Sequence, residues 1–418
     1  MDTNWDVVVI GAGLAGLAAG CTAAAGGAST VVLEAHQPGG RSRTVRKGCY
    51  AFNTGPHALY VGGPGMAVLR SLGIEPKGAP SPIASYQLLK GGELHAVPAG
   101  PASLLHTTAL GKASKTQFAR LMGMLPVLRP ARFAATSVRA WLDDHSLRPD
   151  VDAVVRALIR LTTYTADVDS FSAGAAIRQL QIGARSGVLY LHGGWVQLVD
   201  ALSSKVTVEP RTEVLALEPD GRRVRVRTAN GPLSASQVVV APGTPSATRA
   251  LLPEDPGWSD LGQPVTGACL DLRVSRVPSP GYVLGVDEPI MGVTAAPPAR
   301  GLAPEGHAAV TAIRYVVTNA DADRRSLHTH VARLGVARDD VVTDRFLARM
   351  VVSGAMPRAE TGGLAGRPQV TDSGQPGVLI AGDWVGPEGL LADASLASGH
   401  DAARHALEAL ERGRVVMT

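Results

Sequence analysis

Residues 5–16 read Trp5-Asp6-Val7-Val8-Val9-Ile10-Gly11-Ala12-Gly13-Leu14-Ala15-Gly16. The β-branched apolar run from Val7 to Ile10 is typical of a strand buried in a parallel sheet. The GxGxxG turn that follows opens a helix rich in Ala and Gly, which we expect to extend through Gly27. Gly11 permits the tight turn, Gly13 lets the backbone approach a pyrophosphate, and Gly16 lets helix and strand pack closely. The stretch therefore predicts a dinucleotide-binding α/β domain.

A second apolar strand, Ser29 to Leu33, ends in Glu34. A carboxylate at this position accepts both hydroxyl protons of an adenosine ribose and disfavours a 2′-phosphate. The order of strand, glycine turn, helix, strand and acid is much more specific than the glycine motif alone. It does not separate FAD from NAD.

The segment after Glu34 does separate them. Pro38-Gly39-Gly40-Arg41-Ser42-Arg43-Thr44 resembles the flavin-containing amine oxidase and phytoene desaturase superfamily, in which an acid followed by GGR marks a second phosphate-contacting loop. The residues suit that role, because the two glycines expose backbone N–H groups and Arg41 offers a planar fork to phosphate oxygens. The resemblance implies FAD as the cofactor.

Two more segments extend the resemblance. Phe52-Asn53-Thr54-Gly55-Pro56-His57 is similar to the family's strand and turn beside the flavin ring, although many relatives have Asp where this chain has Asn53. Residues 377–383 form an apolar run that ends in Gly382-Asp383, and the family's equivalent of Asp383 contacts the ribityl or phosphate region. The stretch from Gly389 to Leu410 is expected to begin loosely and become a helix with Ser398-Gly399 near its start. Such a helix would point its positive end at the flavin N1 and C2 carbonyl.

The middle of the chain is expected to return to the same cofactor. Strand-like runs occur at 206–210, 213–217, 224–227 and 238–243, and the resemblance places the backbone near Val214 against the adenine. The predicted cofactor-binding residues are Gly11, Gly13, Leu14, Ala15, Gly16, Glu34, Ala35, Gly39, Gly40, Arg41, Thr54, Gly55, Pro56, His57, Val214, Ala241, Gly243, Gly382, Asp383, Leu391, Ala392 and Ser395.

The remaining blocks are interpreted as a substrate domain inserted into the cofactor domain. Residues 81–185 show helical periodicity, and residues 262–356 open with a strand-like run from Thr266 to Val274 and also contain Ala308 to Val317. The predicted fold is α/β, with a Rossmann-like FAD-binding domain (1–80, 186–261 and 357–418). Its interleaved substrate-binding domain (81–185 and 262–356) combines helices with a mixed or antiparallel sheet.

The reaction is harder to read than the cofactor. Amine oxidases of the superfamily commonly place a Lys near flavin N5, on a strand that corresponds here to Gly267–Leu272, but the last lysine of this chain is Lys205. The segment from Gly389 to Gly399 also lacks the aromatic residue that forms half of the usual amine cage. These departures favour the phytoene desaturase-like branch. The predicted reaction is dehydrogenation, desaturation or oxidation of a small, largely apolar metabolite or amine, with hydride passing from a substrate C–H bond to flavin N5 and then to oxygen or another acceptor. His57, Tyr190 and His192 are the catalytic candidates, since family-like segments bring them toward the flavin.

Bulk composition narrows the range of partners. The 418 residues carry a formal net charge of +4, but the basic residues are scattered, so we expect a solvated surface rather than a nucleic-acid site. Aromatic residues are only 4% of the chain, which favours an aliphatic pocket for a small-molecule substrate. The widely spaced Cys21, Cys49 and Cys269 fit a reducing cytoplasm. No apolar run is long enough to span a membrane, and peripheral lipid contact stays open.

His328 and His330 are interpreted as ordinary exposed histidines rather than as metal ligands, because no carboxylate or cysteine set accompanies them.

Three alternatives stay open on the sequence alone. One is a flavin-dependent isomerase or desaturase of a polyene or other lipid. Another is a non-catalytic, GDI-like binding protein on the same fold, against which stand Glu34, Arg41 and Asp383. The last is an NAD-only dehydrogenase, which the distant Gly382-Asp383 element opposes. The sequence predicts neither the substrate's identity nor the oligomeric state.

Overall fold

A computed structural model describes residues 4–415 as a mixed α/β protein. The strands are β1 (Asn4–Ile10), β2 (Thr30–Glu34), β3 (Thr44–Lys47), β4 (Tyr50–Asn53), β5 (Leu59–Tyr60), β6 (Gly78–Pro80), β7 (Gln87–Lys90), β8 (Glu93–Ala96), β9 (Val188–Leu191), β10 (Thr207–Pro210), β11 (Val214–Asp220), β12 (Arg223–Thr228), β13 (Gly231–Val240), β14 (Val265–Val274), β15 (Tyr282–Gly285), β16 (Ile290–Ala296), β17 (Ala308–Arg314), β18 (Val341–Ser353) and β19 (Val378–Ile380). The helices are α1 (Leu14–Ala25), α2 (Pro64–Ser71), α3 (Pro101–His106), α4 (Lys112–Met124), α5 (Val138–Asp144), α6 (Pro149–Thr163), α7 (Ala173–Ser186), α8 (Val196–Ser203), α9 (Pro245–Arg249), α10 (Ala320–Arg333) and α11 (Leu391–Val415).

The first sheet is the predicted dinucleotide-binding sheet. Its order is β10-β2-β1-β13-β12-β11, with β19 beside the end of β13. The strands β10, β2, β1, β13 and β19 pair in parallel, whereas β11, β12 and β13 form an antiparallel meander. Val7, Val8 and Val9 have no exposed surface, as a strand covered on both faces requires.

The helices α1 and α11 pack together because Gly399 removes the side chain at their contact. A Cβ at Gly399 would lie 2.0 Å from the carbonyl oxygen of Ala15. Helix α11 begins at Leu391, so Ser398-Gly399 lies two turns inside it, and the predicted position near the helix start was wrong. The Ser398 hydroxyl donates to the Gly382 carbonyl at 2.8 Å and accepts the Gly382 N–H at 3.0 Å. The pair therefore joins α11 to the end of β19.

The second sheet has the order β18-β14-β17-β16-β15-β7-β8 and is antiparallel except between β15 and β7. Helix α10 covers one face through Leu327 and Val331, and Leu334 directly after the helix joins them. Helices α4 to α7 pack into a separate core with Leu284, Met291 and Ile313 from the sheet. The predicted fold class, an α/β cofactor-binding fold with interleaved helices and a mixed sheet, is confirmed. The domain boundaries given above stay a prediction.

One segment departs from the predicted helical lobe. Residues 87–96 form the β7-β8 hairpin instead of helix, and this hairpin extends the second sheet at its edge. Gly91 and Gly92 both have positive φ at the turn, and Leu88 is fully buried between half-buried neighbours. A strand of four residues is too short for its alternation to stand out beside the long helices that follow.

Candidate functional site

One cavity of about 690 Å³ runs from the glycine turn after β1 to the start of α11. Its wall includes every predicted cofactor residue except two, namely Gly11, Gly13, Leu14, Ala15, Glu34, Ala35, Gly39, Gly40, Arg41, Thr54, Pro56, His57, Val214, Ala241, Gly243, Gly382, Asp383, Leu391, Ala392 and Ser395. Both sheets contribute, because Met350, Val351 and Val352 of β18 also line it. Segments from most of the chain therefore converge on a single elongated space.

Gly16 and Gly55, the two exceptions, lie behind the wall. A Cβ at Gly16 would sit 1.8 Å from the Gly11 carbonyl oxygen, so this glycine shapes the turn rather than facing the cavity. Gly55 has φ +81°, and a Cβ there would meet the Met350 sulfur at 2.5 Å. Its contact is with the second sheet, where we expected the cofactor.

The end of the cavity beside Glu34, which we call the Glu34 end, has the geometry of an adenylate site. Glu34 accepts the Ala12 N–H at 2.8 Å and the His36 N–H at 2.9 Å. A Cβ at Gly13 would meet nothing within 4 Å, so the backbone at the start of α1 is open to the cavity. An open turn at a helix N-terminus with an acid beside it fits the pyrophosphate and ribose of a dinucleotide.

Two residues of the cavity wall, Arg41 and Asp383, form an ion pair. Arg41 donates to both carboxylate oxygens of Asp383 at 2.8 and 2.9 Å and to the Val352 carbonyl at 3.0 Å. Burial would raise the pKa of Asp383, but the Arg41 charge and the Gly354 N–H outweigh it and hold the pKa below its usual value. The Arg41 fork therefore engages Asp383, and its predicted contact with phosphate oxygens stays a prediction.

The opposite end, the Tyr60 end, is lined mainly by aromatic and aliphatic side chains. Tyr60, Tyr164 and Leu391 face it, and the His57 and Trp195 rings pack with centroids 4.9 Å apart. The His57 Nδ1 donates to the Gly55 carbonyl at 3.0 Å, since a carbonyl can only accept. Burial lowers the pKa of His57 from its ordinary value, although backbone hydrogen bonds to Gly55 and Arg41 oppose the shift, so the ring is neutral at neutral pH.

Of the three catalytic candidates, only His57 lines this cavity. Tyr190 lies behind it, on a second cavity of about 20 Å³ that His57 also touches and that has room for about one water. Its hydroxyl pairs with that of Tyr86 at 2.6 Å. His192 lines neither cavity, and its Nδ1 accepts the Arg300 N–H at 3.1 Å. A role for Tyr190 and His192 beside the flavin therefore stays a prediction, with Tyr190 on the small cavity that His57 shares and His192 on neither cavity.

The hydrogen bonds of Asn53 show why an amide can stand where many relatives have Asp. Its Oδ1 accepts the Thr44 hydroxyl at 2.8 Å and the Trp195 N–H at 3.1 Å, as a carboxylate oxygen would. A Cβ at Gly194 (φ +94°) would lie 2.7 Å from that same oxygen. Asn53 thus fixes the glycine junction that presents Trp195 to the cavity.

Sequence reasoning missed several lining residues of the Tyr60 end: Tyr60, Tyr164, Trp195, Met350 and Asp393. Trp195 had a usable signal, since it directly follows Gly193-Gly194. The others come from a two-residue strand, a helix end, a long strand and a helix start, whose convergence only the tertiary fold defines.

Among residues 4–415, no group of three or more His, Cys, Asp or Glu side chains is placed to hold a metal ion. His328 is exposed, but His330 is buried and its Nε2 donates to the Val283 carbonyl at 3.1 Å. The prediction that both are exposed was therefore wrong for His330, which lies on the face of α10 that covers the second sheet. No helix in the same range is long and apolar enough to cross a membrane.

Comparison with known proteins gives a consistent result. Residues 14–260 match the family described as flavin containing amine oxidoreductase. No curated protein sequence matches the chain.

Solved structures share the fold. Putrescine oxidase bound to putrescine has a TM-score of 0.67 at 16% identity over 97% of this chain and 99% of that one. Cyclohexylamine oxidase from Brevibacterium oxydans IH-35A has a TM-score of 0.66 at 18% identity over 97% and 99%. A protein assigned as a protoporphyrinogen oxidase from Exiguobacterium sp. 255-15 has a TM-score of 0.67 at 17% identity over 98% and 99%.

Proposed function

Because the chain belongs to the flavin-containing amine oxidoreductase family, we propose that it removes hydride from a C–H bond of a largely apolar metabolite. Family membership implies FAD as the cofactor and a flavin oxidoreductase activity. When bound, the flavin supplies the two-electron acceptor, so the protein's tasks are to bind, orient and exclude water. Residues of the cavity wall carry out these tasks.

The Glu34 end is proposed to hold the adenylate half of FAD. The Glu34 carboxylate suits the ribose hydroxyls, and the open backbone at Gly13 suits the pyrophosphate. The Arg41–Asp383 pair crosses the middle of the cavity, where the ribityl chain would lie. The start of α11 would then face the flavin ring, with its free N–H groups toward the carbonyl that gains charge on reduction.

The lining of the Tyr60 end carries the proposal of an apolar substrate. Ala58, Met350, Leu391 and Ala392 contribute aliphatic surface, and Tyr60 and Tyr164 add two rings. The chain has no lysine after Lys205 and no aromatic residue between Gly389 and Gly399, so neither the lysine nor the C-terminal aromatic of the amine-oxidase pattern is present. This lining favours dehydrogenation of an apolar carbon skeleton, as in the phytoene desaturase-like branch.

His57 is proposed to orient substrate at the ring. It is neutral, its Nδ1 is fixed by the Gly55 carbonyl, and its ring is held against Trp195. A neutral imidazole held in this way can orient a substrate O–H or N–H group by a hydrogen bond.

The test begins with the visible spectrum of the purified protein, which should show bound flavin or gain it on reconstitution with FAD. Candidate substrates are then added without oxygen: cyclohexylamine, putrescine and a carotenoid-like polyene in detergent. Bleaching of the flavin absorbance by the polyene, with a product lighter by two hydrogens, would support the proposal.

A matched control is Glu34→Gln, which keeps the shape of the side chain and weakens the ribose contact. This variant should need more FAD for reconstitution than the wild type. If only the amines bleach the flavin, the substrate is an amine and the proposed apolar substrate is wrong. If the double bonds of the polyene rearrange without net loss of hydrogen, the protein is an isomerase. A colourless protein that cannot be reconstituted would contradict the proposed function altogether.

A further inference from the structure

Asp393 is a buried carboxyl group on the wall of the Tyr60 end. It lies in the first turn of α11, its exposed fraction is 2%, and it lines the large cavity. Its Oδ1 accepts the Gly65 N–H at 3.0 Å, whereas its Oδ2 has no hydrogen-bond partner. Burying a carboxylate without a cation or a full set of donors disfavours the charged form.

Three glycines make the space for this carboxyl group. A Cβ at Gly63 would lie 2.0 Å from Oδ2, and one at Gly65 would lie 2.6 Å from Oδ1. A Cβ at Gly389 would lie 2.7 Å from the Cβ of Asp393 itself. The start of α2 and the loop before α11 are therefore both shaped around Asp393.

The groups that face Asp393 do not keep it ionised. The first residues of α2 carry no titratable side chain, and the facing group from β5 is Tyr60, whose pKa is raised by burial and further by the charge of Asp393. Arg367, from the segment before β19, donates to the Gly389 carbonyl in the loop before α11 at 3.1 Å. No salt bridge joins Asp393 to any cation among residues 4–415.

Glu388 in that loop is exposed, and the next titratable group along α11, His400, bonds Thr22 on α1. Burial raises the pKa of Asp393 to about 7, although the Gly65 N–H opposes the shift. Near neutral pH the carboxyl group is therefore poised between its two forms. A negative charge gained nearby favours the protonated form, because like charges raise a carboxyl pKa.

We propose that Asp393 takes up one proton when the bound flavin is reduced, and so couples the redox state of the site to pH. The inference rests on the proposed function, which places the flavin ring at the start of α11. A substrate that is dehydrogenated loses one hydride and one proton. The hydride brings two electrons and one negative charge to the flavin, and the Asp393 carboxylate accepts the proton and becomes neutral, so the net charge of the site is unchanged.

The experiment compares the midpoint potential of FAD in the wild type and in Asp393→Asn, between about pH 6 and about pH 9. Asn keeps an oxygen for the Gly65 N–H but cannot titrate. Above about pH 7 the wild-type potential should fall more steeply with pH than that of the variant, and below it the two lines should run parallel. Asp401→Asn, on the same helix but outside the cavity wall, should keep the wild-type slope.

If Asp393 has only a structural role, Asp393→Asn should have a lower melting temperature but the same dependence of midpoint potential on pH as the wild type. That result would overturn the inference. If Asp393→Asn does not fold, the wild type is measured instead at about pH 8, above the pKa of about 7 for Asp393. Its reduced-minus-oxidised infrared spectrum should gain a protonated carboxylic acid band, and the absence of that band overturns the inference. A protein that does not retain FAD overturns both proposals, whereas parallel potentials in an FAD-loaded protein overturn this one alone.

Discussion

At the residue scale, the Arg41–Asp383 pair joins two segments far apart in the sequence. Asp383 is 1% exposed, and it also accepts the Gly354 N–H at 3.1 Å. Asp383→Asn leaves Arg41 without its counter-charge, so it should lower the free energy of unfolding by about 3 kcal/mol. This value is at the lower end of the range for a buried pair, because Arg41 still touches the cavity. Urea unfolding at neutral pH measures this difference. Asp220→Asn, which removes an exposed pair with Arg225, should cost less than about 1 kcal/mol.

The same pair predicts a pH dependence. The folded-state pKa of Asp383 is depressed, so its stabilising contribution is present above the unfolded value of about 3.9 and is lost as pH falls through the folded value. The stability difference between wild type and Asp383→Asn should therefore be constant near neutral pH and shrink in acid. A difference that grows as pH falls would contradict this assignment.

His57 gives a second residue-scale prediction, in a different pH window. Its folded-state pKa lies below the ordinary value of about 6.5, mainly because of burial. The folded state is therefore favoured above about pH 6.5 and loses stability as pH falls toward the lower folded value. Wild type should lose more stability than His57→Gln between about pH 7 and about pH 5, as measured by urea unfolding. His328→Gln, at an exposed position on α10, should follow the wild type.

The sequence predicted the site residues whose positions depend on local backbone structure. It did not predict those that reach the cavity only through tertiary packing. Gly11, Gly13 and Glu34 lie within one βαβ unit, where local order fixes their relative positions. Asp393 and Tyr60 approach each other only because α2 and α11 pack together, and nothing in their local sequence encodes that contact. Tyr190, on β9, and His192, directly after it, were chosen from family-like sequence, which does not fix the cavity that each side chain lines.

At the element scale, the contact between α1 and α11 depends on one missing side chain. Gly399→Ala would place a Cβ 2.0 Å from the Ala15 carbonyl oxygen, so the helices must separate. Overpacking of this kind costs about 1–3 kcal/mol. FAD affinity should also fall, since Ala15 lines the cavity. Thermal unfolding and FAD titration measure the two effects.

The control for that variant lies on the same helix. A Cβ at Gly413 would meet nothing within 4 Å, so Gly413→Ala should stabilise α11 by about 0.5–1 kcal/mol through helix propensity alone. If Gly399→Ala lowers the stability while Gly413→Ala raises it, the loss at Gly399 is due to the contact between α1 and α11. If both substitutions change the stability in the same direction, the close approach of the helices at Gly399 does not determine the stability.

The elements themselves were predicted to different degrees. The parallel strands β1, β2 and β13 and the meander of β11 and β12 follow from buried apolar runs and alternating patterns. The β7-β8 hairpin was missed because it is completed by a parallel partner, β15, about 200 residues later in the chain. Short edge strands of this kind are defined by tertiary pairing rather than by local sequence.

At the scale of the whole molecule, both sheets contribute to the wall of the same cavity. The glycine turn after β1 and residues 350–352 of β18 line one continuous space, together with Tyr164 at the end of α6. FAD binding should therefore order parts of both sheets. A ligand at about 100 times its dissociation constant stabilises the folded state by about 2.7 kcal/mol.

Hydrogen exchange with and without FAD tests this coupling. Protection should increase at the glycine turn around residues 11–14, in β18 near Met350, and at the end of α6. Helix α10 covers the face of the second sheet with Leu327 and Val331 and contributes no residue to the cavity wall, so its exchange should change least. Protection confined to the first sheet would mean that the second sheet does not share the cofactor, and that β18 closes the cavity without contacting what it holds.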